Sequence, residues 1–160
     1  MTIMFADEIN DRSIINLINQ IEVSDAEHIT IYFSTEGGIF ADMLVLIDYI
    51  NDYPDRFTLI FFKCMSSCGI SLVTKAKCKK LIIPHCYSAI HIPTMELCKR
   101  ELQNPNSIDS FLDKNVLAKD HDIYISHLKD FGITTDELDT INNGRVVFFT
   151  YERLKEYIER

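Results

Sequence analysis

The chain has 160 residues, of which 47% are hydrophobic, so it is long enough for one well-buried domain and too short for two ordinary ones. Its formal net charge of −8 would repel a nucleic-acid backbone, and the basic stretch from Lys75 to Lys80 is short and typical of a solvated helix end or turn. No run of about 18 apolar residues occurs, and the first residues lack a cationic lead with a long apolar segment. We therefore expect a cytoplasmic protein with no nucleic-acid partner and no membrane partner.

Strand and helix patterns alternate over the first hundred residues. Apolar runs predict strands within 2–10, 28–35, 56–63, 79–85 and 87–93. Apolar residues at helical spacing predict helices over 11–23 and 39–53, and a third beginning within 66–76. Asp11 is expected to cap the first helix, and Pro54 to end the second. This alternation is typical of an α/β domain with right-handed crossovers.

The composition changes after Pro93. Residues 94–130 combine polar residues with spaced apolar positions, which predicts helices that pack less fully than the earlier ones and form an arm. Residues 142–149 are predicted to be a turn and a last strand, and 150–160 a closing helix with Thr150 at its N-cap.

The cysteines are odd in number, which argues against a disulfide framework and for reduced thiols. Cys64 and Cys68 are four residues apart with no second pair at similar spacing, so structural zinc is disfavoured and we expect neither a metal nor a cofactor. A thiol or metal function of Cys64, Cys68 and Cys86 stays as a minor alternative. Buried apolar filler is the simplest interpretation of Cys78, Cys86 and Cys98.

Two turns that follow predicted strands share one design. "FSTEGG" (33–38) and "CMSSCG" (64–69) each place glycine where a strand gives way to a helix. Backbone N–H groups freed at such a turn can stabilise a developing oxyanion. A purely structural turn is the alternative.

Ser67 and His91 are the candidate reacting pair. In Ser67-Cys68-Gly69, the small third residue allows a sharp turn that exposes the serine hydroxyl; the alternative is that Ser66 or Ser67 only caps the helix. His91 ends an apolar strand, where it could accept the serine proton. His85 competes for that role, whereas His28, His121 and His127 lie in polar contexts and are expected on the surface.

These segments together resemble the proteolytic subunit of the Clp protease, a family of serine peptidases. The resemblance is carried, in chain order, by "EIND" (8–11), "ITIYFSTEGGIFADMLVLIDYI" (29–50), "CMSSCGISLVTKAKCKKLIIPHCYSAIHIP" (64–93) and "FFTYERLKEYI" (148–158). It implies one domain over 1–160 with the repeated β-β-α superhelix of the Clp and crotonase fold. It also implies a handle-like helical arm at about 94–130 and a closing strand and helix at about 145–158.

The resemblance implies a role for each matching residue. Ser67 corresponds to the nucleophile and His91 to the general base. The backbone N–H groups of Gly38 and Cys68 correspond to the oxyanion hole.

This chain has no carboxylate at the position that corresponds to the acid of the family's triad. Val146 stands at that position, and Asp136, Asp139 or Asn143 could reach in from the preceding turn, with Asp139 taken as the candidate acid. Glu36 replaces the proline expected before Gly37. The family's glycine-rich segment after the histidine is replaced by "IPTMELCKREL" (92–102).

We therefore expect a serine endopeptidase that hydrolyses peptides or unfolded proteins in a homo-oligomer. An AAA+ unfoldase or a Clp-like partner subunit is the expected protein partner. The first alternative is a catalytically degenerate Clp-like scaffold or partner subunit, motivated by the missing acid. The second is a crotonase-type acyl-CoA enzyme, which also holds a thioester oxygen with two backbone N–H groups.

Overall fold

The computed structural model describes residues 1–92 and 108–160, with side chains given for 1–92 and 118–160. Cys98 and the first part of the predicted arm, 94–107, lie outside the described residues.

Four parallel strands form the main sheet in the order β1-β2-β3-β4: Thr2–Ala6, Ile29–Thr35, Phe57–Met65 and Lys79–Ile82. The two central strands are almost wholly buried, as expected for near-continuous apolar sequences covered on both faces. The edge strand β1 alternates exposed and buried residues. Strand β4 ends at Ile82, before the predicted limit at His85, because residues 84 and 85 form a turn and His85 has a positive φ of 72°.

In residues 1–92 and 108–160, six α-helices accompany the strands: α1 Asp11–Glu22, α2 Phe40–Asp52, α3 Gly69–Lys75, α4 Ile108–Phe131, α5 Thr135–Asn142 and α6 Tyr151–Ile158. A 3₁₀ turn at Pro54–Arg56 follows α2. The predicted cap of α1 is wrong by one residue: Asn10, not Asp11, accepts a hydrogen bond from the Ser13 N–H at 2.9 Å. The predicted cap of α6 at Thr150 is confirmed.

A second, two-stranded sheet joins distant parts of the chain. Strands β5 (Ser88–Ile90) and β6 (Val147–Phe149) pair antiparallel, with Ala89 opposite Phe148. This pairing ties the closing segment to the strand that precedes His91. The arrangement of a parallel sheet with helices confirms the predicted α/β class.

Helix α4 packs on the domain through its described half. Tyr124, Leu128 and Phe131 are buried, and the helix contacts α3 and α2. These residues form the second part of the predicted arm, and their i, i+4, i+7 spacing places them on one face. Within the part of the chain that the structure describes, no helix combines the length and the apolar character needed to cross a membrane.

Arg153 joins the closing helix to α5. Its guanidinium pairs with both carboxylate oxygens of Glu137, the second at 2.9 Å, and lies over the Phe149 ring at 4.0 Å. Glu137 also accepts the Thr134 N–H in a capping box. The hydrogen bond from Arg153, followed by those from Thr134, lowers the pKa of Glu137 from 4.5 to about 2.

We expect Glu137→Gln to destabilise the protein at pH 7 by about 1 kcal/mol, because the amide loses the charge that Arg153 binds. A lowered native pKa stabilises the fold above the unfolded value of 4.5, and this contribution is lost as the pH falls towards about 2. Urea unfolding of wild type and Glu137→Gln at pH 7 and pH 3 measures the loss in the free energy of unfolding. Glu156→Gln, which removes an exposed pair with Arg160, is the control and should have little effect. A deficit of Glu137→Gln that is equally large at pH 3 and pH 7 would contradict this account.

Candidate active site

The two glycine turns meet at one edge of the sheet. Strands β2 and β3 are neighbours, with Thr35 in register with Met65, so the segments that follow them emerge side by side. A cleft of about 1350 Å³ opens there, and Gly38, Ser67, Cys68 and His91 all line it. Four of the five predicted site residues are therefore brought together.

Ser67 has a left-handed backbone conformation, with φ of +49°. Such a conformation costs a non-glycine residue about 1–3 kcal/mol and is concentrated at functional sites. The residue is held on both sides: its N–H donates to the Ala89 carbonyl at 2.8 Å, and its carbonyl accepts from the Ile70 N–H at 3.2 Å and the Tyr124 hydroxyl at 3.3 Å. A strained serine on a strand-to-helix turn is the arrangement that exposes a nucleophile.

Ser66 has a different role from its neighbour. Its hydroxyl accepts the Ala89 N–H at 3.0 Å, and its own N–H donates to the Thr35 carbonyl at 3.0 Å. Neither serine caps α3, because the N-cap position is Cys68 and has no side-chain hydrogen bond. The hydroxyl of Ser66 therefore joins strands, and Ser67 is the serine at the cleft.

Gly37 and Gly38 allow the turns to approach each other closely. Both have positive φ, 118° and 140°. A Cβ on Gly37 would lie 2.5 Å from Ser67 Cβ, and one on Gly38 would lie 2.1 Å from the Ile9 carbonyl oxygen. Only glycine fits either position without displacing the backbone or the nucleophile turn.

The N–H groups of Gly38 and Cys68 make no backbone hydrogen bond within the described ranges. The N–H groups of the residues next to them in the chain do make hydrogen bonds. Gly37 donates to Thr35 Oγ1 at 3.0 Å, Ile39 to the Ile9 carbonyl at 2.8 Å, and Gly69 to the Ser66 carbonyl at 2.8 Å. Two donors left free beside a serine are the arrangement of an oxyanion hole.

The Cys68 thiol is buried, and burial raises its pKa to about 12. The thiol is protonated at neutral pH, so no sulfur anion competes with a substrate oxygen.

His91 is held in the tautomer that a general base requires. Its Nδ1 lies 2.8 Å from the Ile92 carbonyl oxygen, which can only accept, so in the neutral ring Nδ1 carries the proton and Nε2 carries the lone pair. Among the described contacts no hydrogen bond joins His91 to Ser67. Such bonds are commonly long before a substrate binds.

Asp139 is not brought to this cleft. It lies exposed on α5, and its backbone carbonyl accepts from the Asn143 side chain at 2.8 Å. Neither Asp136 nor Asn143 lines the cleft either. Among the described residues, the group that contacts the His91 ring is the Ile92 carbonyl.

Helix α4 supplies cleft residues that the sequence analysis did not identify. Asp120, His121 and Tyr124 line the cleft, and the His121 side chain, predicted at the surface, is 41% exposed there. His127, also predicted at the surface, is buried against the Phe40 ring, and burial lowers its pKa to about 4. The spacing 121, 124, 128 was the available signal, since it places these residues on one helical face.

The described cysteines are free and buried. Burial raises the pKa of Cys78 to about 11 and of Cys86 to about 12, and it also raises that of Cys64. In residues 1–92 and 118–160, no group of three histidine, cysteine, aspartate or glutamate side chains could hold a metal ion. These thiols lack the lowered pKa of a reactive cysteine.

A scan against protein-family models and a search of curated proteins find no match for this chain.

We expect Gly38→Ala to destabilise the protein by more than about 3 kcal/mol, because its Cβ would clash with the Ile9 backbone. Gly144→Ala separates this clash from backbone strain, since Gly144 also has a positive φ of 73° but has nothing within 4 Å of its would-be Cβ. That variant should lose only about 1 kcal/mol. Chemical denaturation measures both, and equal losses would show that the contact with Ile9 is unimportant.

Proposed function

We propose that this chain is a serine hydrolase that cleaves peptide bonds, as its resemblance to the Clp peptidases implies. The observation that carries the proposal is the geometry around Ser67: a left-handed serine beside two backbone N–H groups that have no backbone acceptor among the described residues. His91, whose Nδ1 faces the Ile92 carbonyl, lines the same cleft.

The proposed reaction begins when Ser67 Oγ attacks the carbonyl carbon of the peptide and His91 Nε2 accepts the hydroxyl proton. The oxyanion that forms is bound by the N–H groups of Gly38 and Cys68. As the intermediate collapses, His91 gives the proton to the leaving amine. Water then hydrolyses the acyl-enzyme by the same route, with His91 again as the base.

We also propose that this enzyme hydrolyses its substrate slowly. In a triad, a carboxylate both orients the histidine and stabilises its charged form, and losing its function costs about 10⁴ in rate. Here the Ile92 carbonyl orients His91 but carries no full charge. We therefore place this enzyme among slow hydrolases.

The finer fold is also part of the proposal. Beyond the main strands, short parallel bridges join Ile9 to Gly38 and Cys64 to Tyr87. The first bridge lies off the four-stranded ladder, and its residues Ile9 and Gly38 follow β1 and β2 and precede α1 and α2, whereas Cys64 of the second bridge lies within β3. Strand, off-sheet pair and helix thus recur along the chain, which supports a repeated β-β-α superhelix of the Clp and crotonase type.

Assembly follows from the same resemblance. Clp-like peptidases work as oligomers, so we propose a homo-oligomer that receives peptides or unfolded proteins. An AAA+ unfoldase or a Clp-like partner subunit is the proposed companion.

One observation favours a second candidate, a non-catalytic Clp-like scaffold. No carboxylate among the described residues bonds to His91, which is held by the Ile92 carbonyl instead. Labelling by a fluorophosphonate probe distinguishes the two candidates.

We expect a fluorophosphonate probe to label the wild-type protein, with intact mass and peptide mapping placing the adduct on Ser67. Ser67→Ala should abolish labelling, and His91→Gln should slow it by about 100-fold or more, since it removes the general base. His121→Gln is the matched control, because it changes another histidine of the cleft and should leave the rate nearly unchanged.

Circular dichroism of each variant shows that it is folded. A folded wild-type protein that does not label would favour the scaffold. Labelling that depends on His121 and not on His91 would assign the base to α4 instead.

A further inference from the structure

Tyr124 of helix α4 contacts the nucleophile turn from inside the domain. It is 1% exposed, and its hydroxyl donates to the Ser67 carbonyl at 3.3 Å. Burial raises the pKa of Tyr124, so the hydroxyl stays protonated and available as a donor.

The carbonyl that Tyr124 binds belongs to the residue with the strained backbone. Ser67 can keep its left-handed conformation only if its surroundings hold it there. Two of its hydrogen bonds join it to the Ile70 N–H, three residues further along the chain, and to the Ala89 carbonyl of strand β5. Tyr124 supplies the bond that comes from a distant part of the chain.

The ring of Tyr124 also contacts the other turn of the site. It meets the Phe40 ring edge to face, with centroids 5.6 Å apart. Phe40 begins α2, two residues after Gly38. One side chain therefore touches both the segment that carries Ser67 and the helix that follows the Gly38 donor.

We propose that Tyr124 is a positioning residue: its hydroxyl holds the Ser67 carbonyl, and so keeps the serine and the Cys68 N–H aimed at one acyl group. This inference rests on the proposed hydrolase function. Tyr124 itself makes no bond to the reacting atoms.

Tyr124→Phe tests this, because it removes the hydroxyl and keeps the ring contact with Phe40. We expect the maximal rate of fluorophosphonate labelling to fall by about 10-fold with little change in the probe concentration at half-maximal rate. A general loss of structure would change both.

Tyr157→Phe is the matched control. The Tyr157 hydroxyl also donates to a carbonyl of α3, that of Thr74 at 3.4 Å, and its ring packs on Phe131. The control loses the same kind of hydrogen bond at the far end of the same helix and should label at the wild-type rate.

Hydrogen exchange supplies a readout that does not depend on activity. In the peptide spanning 65–72, we expect exchange about 3- to 10-fold faster in Tyr124→Phe than in wild type, and unchanged in Tyr157→Phe.

Failure of the positioning role and failure of the proposed function give different results. If wild type labels at Ser67 and Tyr124→Phe labels equally fast, the positioning role is overturned and the proposed function stands. If folded wild type does not label, the proposed function fails, and the positioning role fails with it whatever the exchange result.

Discussion

The close approach of two turns is the constraint on which the site depends. Pairing of β2 with β3 brings the ends of two neighbouring strands together, and Gly37 then lies so near Ser67 that a Cβ would come within 2.5 Å of the serine Cβ. A side chain at Gly37 would separate the turns or move the serine, and one at Gly38 would clash with the Ile9 backbone. The central sheet and the missing side chains thus act together to bring the Gly37-Gly38 turn against Ser67.

The turn at Ser67 has a strained, left-handed backbone, and other parts of the fold hold it. Strand β5 accepts the Ser67 N–H through Ala89, and α4 binds the Ser67 carbonyl through Tyr124. Strand β5 is in turn paired with β6 near the end of the chain. The candidate site therefore requires most of the domain to be folded, although its proposed groups come from three short segments, around Gly38, Ser67 and His91.

Local features of the site were predictable because their causes are local. Continuous apolar runs marked β2 and β3, and Gly-Gly and Ser-x-Gly patterns marked the two turns. The position of α4 was not predictable, since nothing within 118–131 shows which surface its apolar face will cover. His121 and Tyr124 were missed for that reason. Register led to Val146, and Asp139 was a candidate acid only because it lies shortly before that position; the path of the chain before β6 instead leaves Asp139 exposed on α5.

A carboxylate beside a catalytic histidine both selects its tautomer and stabilises its charged form. The Ile92 carbonyl can perform only the first of these. By accepting the Nδ1 proton it selects the tautomer of His91, and this needs only a lone pair at 2.8 Å. Stabilising the imidazolium needs negative charge, and a neutral carbonyl supplies only a dipole. The two N–H groups of the proposed oxyanion hole do not depend on this carbonyl. Rate acceleration at such a site therefore depends chiefly on how well the backbone donors and Ser67 are aligned, and the contacts that fix this turn matter more than they would beside a complete triad.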